Sequence, residues 1–304
     1  MKSSHVDVIV AIADAGSLRA AADIIGKSQP ALTKALRQAE ESLGARIFTR
    51  AARGVEPTEI GRAVIARARV IRSEMRKLDE EVRQIQGERS GSLNITVSPL
   101  AAVRIVPKVI DRFRRRFPGV HLQVSGGHPP STIAMLRSSE TDIVIGPTPS
   151  PEDRSGLFVR DLFASPLSII SGATSRYAKT ERLADLADAE WVMIGPRKRV
   201  FGVRQDFLEL GLNPPDPVTT SDSITSLLAM IENSNRVCSF PNLLFEEIER
   251  RWSIVRLPLQ DRLTPVRIGL TTRADRPLTP AGRAFVEAVE LEVPSLTGSS
   301  DNQK

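Results

Sequence analysis

The chain has 304 residues, of which 41% are hydrophobic and 26% are charged, and this composition excludes a disordered protein and favours two or three folded domains. Its apolar stretches all fall short of the roughly 18–20 residues that cross a bilayer, which excludes helical membrane spans. The net charge of +6 is unevenly placed, since residues 1–73 hold 12 Lys and Arg against 7 Asp and Glu, so we expect a polyanionic partner to meet the N-terminal quarter.

The opening segment is amphipathic and contains Asp14, which is unlike the apolar core of a secretory signal. We therefore expect a cytoplasmic protein. Cys238 is the single cysteine, which excludes an intramolecular disulfide and a cysteine-based zinc site. The histidines (His5, His121 and His128) lack metal-ligand spacing, and the sequence has no phosphate-binding glycine loop and no nucleophile elbow. We therefore expect no metal, no cofactor and no enzymatic activity.

Residues 17–44 predict two helices joined by a short turn. Ser17 can cap the first helix, and Gly26 suits the left-handed residue that ends it. Ser28 can cap the second helix, which Gly44 ends. Apolar residues follow one another in the second helix at spacings of three and four, as on a packed face, at Leu32, Ala35, Leu36, Ala39 and Leu43. This arrangement predicts a helix-turn-helix.

The second helix leaves a polar face outward that can read base edges or hold phosphates, formed by Gln29, Pro30, Thr33, Lys34 and Arg37. The alternative is an ordinary helical hairpin with a solvated face. Residues 46–55 then predict two short strands around a turn. Arg50 and Arg53 lie in this hairpin, where a basic wing would grip the DNA backbone.

Five segments match one protein family, in order and without a gap over about sixty residues. They are residues 16–22 (GSLRAAA), 28–33 (SQPALT), 40–44 (EESLG), 48–50 (FTR) and 58–61 (TEIG). On these segments the chain resembles the LysR-type transcriptional regulators, whose DNA-binding domain is a winged helix-turn-helix. The resemblance implies that Gln29, Pro30, Thr33, Lys34 and Arg37 face the DNA. Together with Ser28 at the N-cap and the two wing arginines, the predicted DNA-binding residues are Ser28, Gln29, Pro30, Thr33, Lys34, Arg37, Arg50 and Arg53.

Residues 64–85 carry a heptad repeat of apolar residues without Pro or Gly, which predicts a helix about 33 Å long. A heptad repeat implies a partner helix, and the family that the chain resembles dimerises through this linker helix and commonly forms tetramers. The predicted dimerisation residues are Val64, Ala68, Ile71, Met75, Leu78, Val82 and Ile85. The alternative is an amphipathic helix that packs on its own domain.

From residue 91 onward, short apolar strands alternate with helices, which predicts an α/β architecture built on parallel sheets. The predicted strands are residues 93–97, 120–124, 142–146, 167–170, 191–194, 237–240, 254–257 and 268–272. The predicted helices are residues 101–117, 133–136, 201–210, 223–232, 243–250 and 280–292.

The family resemblance implies two lobes like those of periplasmic binding proteins, between which the chain crosses twice. The expected division is a winged helix-turn-helix domain (1–61), a linker helix (62–90), an effector-binding domain (91–295) and a tail (296–304). Lobe one of the effector-binding domain would comprise residues 91–163 and 266–295, and lobe two residues 164–265.

Ligands of open α/β sheets bind at the carboxyl ends of strands. Strand order and the family resemblance together give the expected effector-binding residues Ser98, Leu100, His128, Pro147, Thr148, Gly195, Arg197 and Phe201. The basic run at residues 197–199 would suit an anionic effector, although so short a run is also common on solvated surfaces. The alternative role for Ser98 is a plain helix N-cap, and that for His128 is a turn residue beside two prolines.

These patterns together predict a LysR-type regulator that binds promoter DNA sequence-specifically and responds to a small-molecule effector, with RNA polymerase as a candidate partner. One alternative is an enzyme fused to a DNA-binding module, which would need a nucleophile, base or metal cluster that the sequence does not show. The other is a solute-binding protein without a regulatory role. The helix-turn-helix and the missing signal pattern argue against it.

Overall fold

The computed structural model describes residues 1–51, 54–195 and 203–297. The chain divides into two compact units, Met1–Gln86 and Gly87–Lys304. Among the described residues, no helix has both the length and the apolar character needed to cross a membrane.

The first unit is helical apart from one antiparallel hairpin. Its elements in chain order are α1 (Ser3–Ala15), α2 (Leu18–Ile24), α3 (Gln29–Leu43), β1 (Phe48–Ala51), β2 (Gly54–Pro57) and α4 (Glu59–Ile85). Helices α2 and α3 are the predicted helix-turn-helix, and the hairpin β1–β2 is the predicted wing.

Hydroxyl side chains begin three of these helices. The hydroxyl oxygens of Ser17, Ser28 and Thr58 each accept a hydrogen bond from the backbone N–H three residues further on, at 3.2, 3.4 and 2.8 Å. Gly26 and Gly44 follow α2 and α3 with φ of +65°, a conformation that glycine adopts without a steric penalty. The local signals in the sequence therefore fix where these helices begin and end.

Helix α1 lies at the centre of the first unit. Its Val8, Ile9 and Ile12 are fully buried, and they belong to one cluster with Leu32 and Leu36 of α3. The expectation that Leu43 shares this packed face is wrong, because that side chain is 41% exposed at the last turn of α3.

The first turns of α4 also pack into this cluster. Ala68 is 1% exposed and Ile65 is 5% exposed, while Val64 is partly buried against the same residues. The predicted role of Ala68 in dimerisation is therefore wrong, because its own unit covers it, and Val64 likewise packs on its own unit. An ion pair between Arg69 and Asp14, 2.6 Å long, joins α4 to α1 beside this contact.

Two glycines allow the hairpin to pack closely on the helices. A side chain at Gly54 would collide with the carbonyl oxygen of Gly16, 2.3 Å from the position of a Cβ, and φ at Gly54 is +133°. At Gly61 the carbonyl oxygen of Ile47 would lie 1.9 Å from a Cβ. Glycine is required at both positions, which explains Gly61 in the segment 58–61 of the family resemblance.

The second unit contains the remaining strands. In chain order they are β3 (Ser90–Val97), β4 (Gly119–Gly126), β5 (Ile143–Pro147), β6 (Leu157–Ser165), β7 (Leu167–Gly172), β8 (Glu190–Ile194), β9 (Thr219–Ser221), β10 (Arg236–Pro241), β11 (Ile254–Arg256) and β12 (Val266–Arg273). Within the described residues these strands form two five-stranded sheets, with the orders β4-β3-β5-β12-β6 and β11-β7-β10-β8-β9.

Both sheets are mixed, which corrects the expectation of parallel sheets. In the first sheet β3 runs parallel to β4 and β5, but β12 is antiparallel to β5 and β6. In the second sheet β10 is parallel to β8 and antiparallel to β7. The fold nevertheless remains α/β, because helices connect most of the strands.

The helices of the second unit are α5 (Pro99–Arg104), α6 (Val106–Arg116), α7 (Ser131–Arg137), α8 (Val203–Glu209), α9 (Ile224–Glu232), α10 (Asn242–Ile248) and α11 (Pro280–Thr297). The predicted single helix of residues 101–117 is two helices, which meet at Ile105, because Pro107 has no N–H to continue the first. Strands β6 and β9 were not predicted, since polar and charged residues interrupt their apolar pattern. Helix α11 continues five residues beyond the predicted end at 292.

One apolar cluster spans both sheets. It includes Ile95 and Ile145 of the first sheet together with Ile170 and Phe240 of the second. The chain passes from the first sheet to the second between β6 and β7, and returns between β11 and β12. The carboxyl ends of several strands from both sheets border one cleft.

Candidate functional site

The first candidate site is the outward face of α3. Gln29, Pro30, Thr33, Lys34 and Arg37 are all exposed along it, and Ser28 is exposed at its N-cap. The opposite face carries the buried Leu32, Leu36 and Ala39. The structure therefore brings six of the eight predicted DNA-binding residues onto one exposed surface.

Hydrogen bonds within α3 leave most of this polar face available. The Thr33 hydroxyl donates to the carbonyl oxygen of Gln29 at 2.9 Å, so its oxygen can still accept. Arg37 forms an ion pair with Glu41 at 2.8 Å, with 81% and 60% of the two side chains exposed. An exposed pair of this kind contributes about 0.2–1 kcal/mol, so a phosphate or a guanine can displace Glu41 at little cost.

The hairpin of the first unit also exposes a basic residue. Arg50 is exposed on β1, where it pairs with Val55 of β2. The backbone N–H of Val55 donates to the carbonyl oxygen of Gly16 at 3.0 Å, which docks the hairpin against the turn between α1 and α2. Arg53, the other predicted wing residue, lies outside the described residues.

The second half of α4 presents an apolar stripe to solvent. This α4 stripe consists of the five remaining predicted dimerisation residues, whose exposed fractions are 39% for Ile71, 43% for Met75, 62% for Leu78, 46% for Val82 and 70% for Ile85. Large apolar side chains that recur at heptad spacing and are exposed, as these are among the described residues, form the arrangement that a second helix covers.

The second candidate site is the cleft between the two sheets. An apolar cavity of about 120 Å³ lies there. Four of the predicted effector-binding residues (Ser98, Leu100, His128 and Pro147) line it from the side of the first sheet. Leu167, Met193, Ile194, Ser239, Pro241 and Leu244 line it from the second sheet, and Val266 and Ile268 of β12 complete the wall.

A larger and more polar cavity of about 650 Å³ lies beside the apolar one. Gly126, Gly127, Pro130, Ser131 and Ala134 line it from the first sheet and α7, and Gly195, Thr220, Ser221 and Asp222 line it from the second. His128 lines both cavities. The larger volume lies within the range of small-molecule sites.

His128 is the titratable group at the centre of the cleft. Its Nε2 atom is buried and has no hydrogen-bond partner among the described residues, and such a buried polar atom is costly unless a ligand supplies a partner. Burial lowers the pKa of the imidazole below its usual value of 6.5, and the nearby carboxylate of Asp222 partly opposes that shift. The imidazole is therefore neutral at physiological pH and can either donate or accept at Nε2.

Gly195 brings the second sheet close to His128. Its φ is +94°, and a Cβ at this position would lie 3.6 Å from Cβ of His128. A glycine at the end of β8 therefore allows the chain to turn beside the imidazole. Gly195 is one of the predicted effector-binding residues. Two others of that set, Arg197 and Phe201, lie outside the described residues.

The prediction that Thr148 binds the effector is corrected by the structure. Its backbone N–H donates to the carbonyl oxygen of Arg267 at 3.0 Å, and its Cγ2 lies 2.5 Å from where a Cβ on Gly269 would stand. Pro147 lines the apolar cavity, so the next residue along an extended chain points away from it. Thr148 therefore packs against β12 and lines neither cavity.

Sequence reasoning missed several residues that line the cleft, of which Asp222 is the most important. It follows β9, a strand of only three residues (Thr219–Ser221) whose side chains are polar, so no apolar run marks it. The rule that ligands meet the carboxyl ends of strands would have found Asp222 once β9 was recognised.

The described residues show no cluster of His, Cys, Asp or Glu that could hold a metal ion. Cys238 is fully buried in β10, and burial raises the pKa of its thiol. This environment disfavours the reactive thiolate, and Cys238 packs within the apolar cluster of the second unit.

Comparisons with known proteins match the whole architecture. The family model described as a bacterial regulatory helix-turn-helix protein of the lysR family matches residues 3–62, and the model described as the LysR substrate binding domain matches residues 86–292. The HTH-type transcriptional regulator GbpR of Azospirillum brasilense is 30% identical, over 99% of this chain and 92% of its own length.

Two solved structures share the fold at lower identity. A full-length OxyR variant from Pseudomonas aeruginosa has a TM-score of 0.69 and 20% identity, covering 96% of this chain and 94% of that one. Full-length CbnR complexed with its target DNA has a TM-score of 0.66 and 21% identity, covering 96% of this chain and 100% of that one.

Proposed function

The chain belongs to the LysR family of DNA-binding transcriptional regulators, and we propose that α3 reads promoter sequence while the cleft of the second unit binds the controlling effector. The assignment divides the chain into a DNA-binding domain (1–61), a linker helix (62–90) and an effector-binding domain (91–295). The protein then acts in the cytoplasm as a regulator and not as an enzyme.

The exposed polar face of α3 is the observation that carries the DNA-binding proposal. A recognition helix enters the major groove with its N-terminal residues against base edges. Gln29 lies at the start of α3, and Lys34 and Arg37 follow on the same face. Gln pairs bidentately with adenine, and Arg and Lys with guanine. Arg50 in the hairpin suits a contact with the DNA backbone.

The α4 stripe supports a homodimer built through the linker helix. A two-fold dimer presents two recognition helices to a pseudo-palindromic operator with half-sites one or more helical turns apart. A tetramer made of two such dimers is the alternative assembly, and an exposed stripe is compatible with both.

Control by the effector requires a difference in its affinity for two states of the protein. The two sheets that border the cleft can differ in their separation or in their packing against another subunit. Either change would alter the spacing of the DNA-binding domains in the oligomer and the bend that they impose on DNA. RNA polymerase is the candidate partner that would sense this difference at a promoter.

Fluorescence anisotropy with the full-length protein tests the proposal. Labelled DNA from upstream of the protein's own gene is titrated at several salt concentrations, and scrambled DNA of the same composition serves as the control. We expect tighter binding to the upstream DNA, with an affinity that falls steeply as salt rises, because each phosphate contact releases counterions.

Equal affinity for both DNAs, with and without a metabolite extract, would show that the protein does not recognise a specific sequence at that promoter. Absence of binding to either DNA at low salt would overturn the DNA-binding assignment itself.

A further inference from the structure

The described residues around the polar cavity beside His128 carry a net negative charge. Among the described residues that line it, Asp222 is the only one that carries a formal charge at neutral pH. Asp222 is exposed to the cavity, and its carboxylate forms no hydrogen bond within the described part of the chain. A ligand that donates hydrogen bonds is therefore favoured here, and a second carboxylate is disfavoured by repulsion.

The hydroxyl groups around the cavity add to its capacity to accept. The Ser131 hydroxyl donates to the carbonyl oxygen of His128 at 2.7 Å, so its oxygen is left to accept. Thr220 is exposed in the same wall, and a hydroxyl can both donate and accept. The wall thus offers several acceptors at separate positions.

His128 supplies a group that suits a hydroxyl in particular. Its Nε2 is buried without a hydrogen-bond partner in the described part of the chain, and burial favours the neutral imidazole. A neutral imidazole presents either a donor or an acceptor at Nε2, depending on its tautomer. A ligand hydroxyl matches both tautomers, whereas an ammonium group matches only one of them.

We propose that the polar cavity binds an uncharged, polyhydroxylated molecule of the sugar or polyol class, with Asp222 accepting from ligand hydroxyls and His128 bonding another through Nε2. This inference rests on the proposed function, since it assigns a chemical class to the effector of that cleft. It differs from the anionic effector that the basic run at residues 197–199 would suit, and that run lies outside the described residues.

Isothermal titration calorimetry on the full-length protein tests the class of ligand. The probes are neutral sugars and polyols, each paired with a charged counterpart on the same carbon skeleton, such as D-glucose with D-glucuronate, and sorbitol with gluconate and glucamine. We expect at least one neutral probe to bind, with an affinity at least about tenfold higher than that of its acid or amine counterpart.

Variants connect the binding to the two residues. Asp222→Asn keeps a hydrogen-bond acceptor but removes the charge. We therefore expect it to lower the affinity for the neutral probe by about tenfold and to reduce the ratio between the affinities for the neutral probe and for its acid counterpart. His128→Phe removes hydrogen bonding and should abolish binding, whereas His128→Gln retains part of it. Asp188→Asn, at an exposed position outside both cavities, is the matched control and should bind like the parent.

The outcomes separate this inference from the proposed function. If an acid or amine binds as tightly as its neutral counterpart, the assignment of the ligand to the polyol class is wrong. If Ala134→Trp abolishes the binding of that acid or amine, the cleft is still the effector site. Failure of every neutral probe also overturns the class. If no compound of any charge from a general metabolite panel binds in a way that Ala134→Trp abolishes, the effector role of the cleft fails as well.

Discussion

At the scale of single residues, the candidate DNA-binding side chains are held weakly in the protein alone. Lys34 is exposed, and within the described residues Arg37 has only the exposed carboxylate of Glu41 as its partner. Both side chains can therefore exchange solvent contacts for contacts with DNA without the loss of a strong interaction in the protein.

We expect Lys34→Ala and Arg37→Ala each to weaken operator binding by about 1–3 kcal/mol where the side chain contacts a base. Anisotropy titrations against the operator and against scrambled DNA measure the loss. Arg115→Ala, an exposed arginine on α6, is the control for a change in net charge. Unchanged affinity in both α3 variants would exclude a role of these side chains in recognition.

His128 gives a second prediction at this scale, in the pH dependence of stability. Since its folded-state pKa lies below 6.5, the unfolded chain takes up the proton first as pH falls. Its contribution to stability is therefore complete above pH 6.5, and is lost as pH falls from 6.5 through the lowered pKa.

Urea denaturation across this pH range measures the effect. His128→Gln cannot titrate, so we expect it to flatten the decline relative to the parent, whereas His121→Gln, at an exposed position of β4, should leave the decline unchanged. An equally steep decline in His128→Gln would show that other groups control acid stability.

At the scale of elements, the apolar residues of α4 are buried in its first turns and exposed in its second half. Ile65 and Ala68 pack into the core of the first unit, whereas the α4 stripe from Ile71 to Ile85 is exposed. One part of the heptad pattern therefore stabilises the DNA-binding unit. The other part is exposed and is available to pack against another helix.

We expect Leu78→Glu to dissociate the oligomer, because Leu78 is 62% exposed in the single chain and the variant would place an uncompensated charge in the helix–helix interface. Burying such a charge costs about 3–5 kcal/mol. A cost of this size raises the dissociation constant of the oligomer by more than about a hundredfold. Sedimentation velocity measures the change.

Ala66→Glu is the matched control, since Ala66 is an exposed residue of α4 outside the stripe. A Leu78→Glu protein that still sediments as the parent oligomer would show that the α4 stripe is not the dimer interface.

At the scale of the whole molecule, DNA recognition and effector recognition lie in different compact units, Met1–Gln86 and Gly87–Lys304. A change confined to the cleft should therefore remove the response to the effector without removing the affinity for DNA. Ala134 is suited to such a change, because it is exposed and lines the polar cavity.

We expect Ala134→Trp to bind the operator within about twofold of the parent and to lose the effector-dependent change in that affinity, since the indole fills the cavity. Operator titrations with and without bound effector measure both quantities. Ala187→Trp, at an exposed position that lines neither cavity, controls for the added bulk. A full effector response in Ala134→Trp would place the effector elsewhere.

The sequence by itself determined the helix-turn-helix, the exposed polar face of its second helix and the α/β character of the second unit. These features depend on local physics: hydroxyl caps at Ser17 and Ser28, a left-handed glycine at Gly44, and apolar residues repeated at helical or strand spacing. Such signals act over a few residues, so they can be recognised without knowing what the segment packs against.

Only the tertiary structure decided which apolar residues are covered and which cleft residues meet. Burial of Ala68 depends on the distant α1, and the orientation of Thr148 depends on the antiparallel strand β12. Asp222 comes to face His128 because β9 and β4 end at the same cleft, although almost a hundred residues separate them in the chain. Contacts between distant segments follow from sheet order and register, which no local pattern encodes.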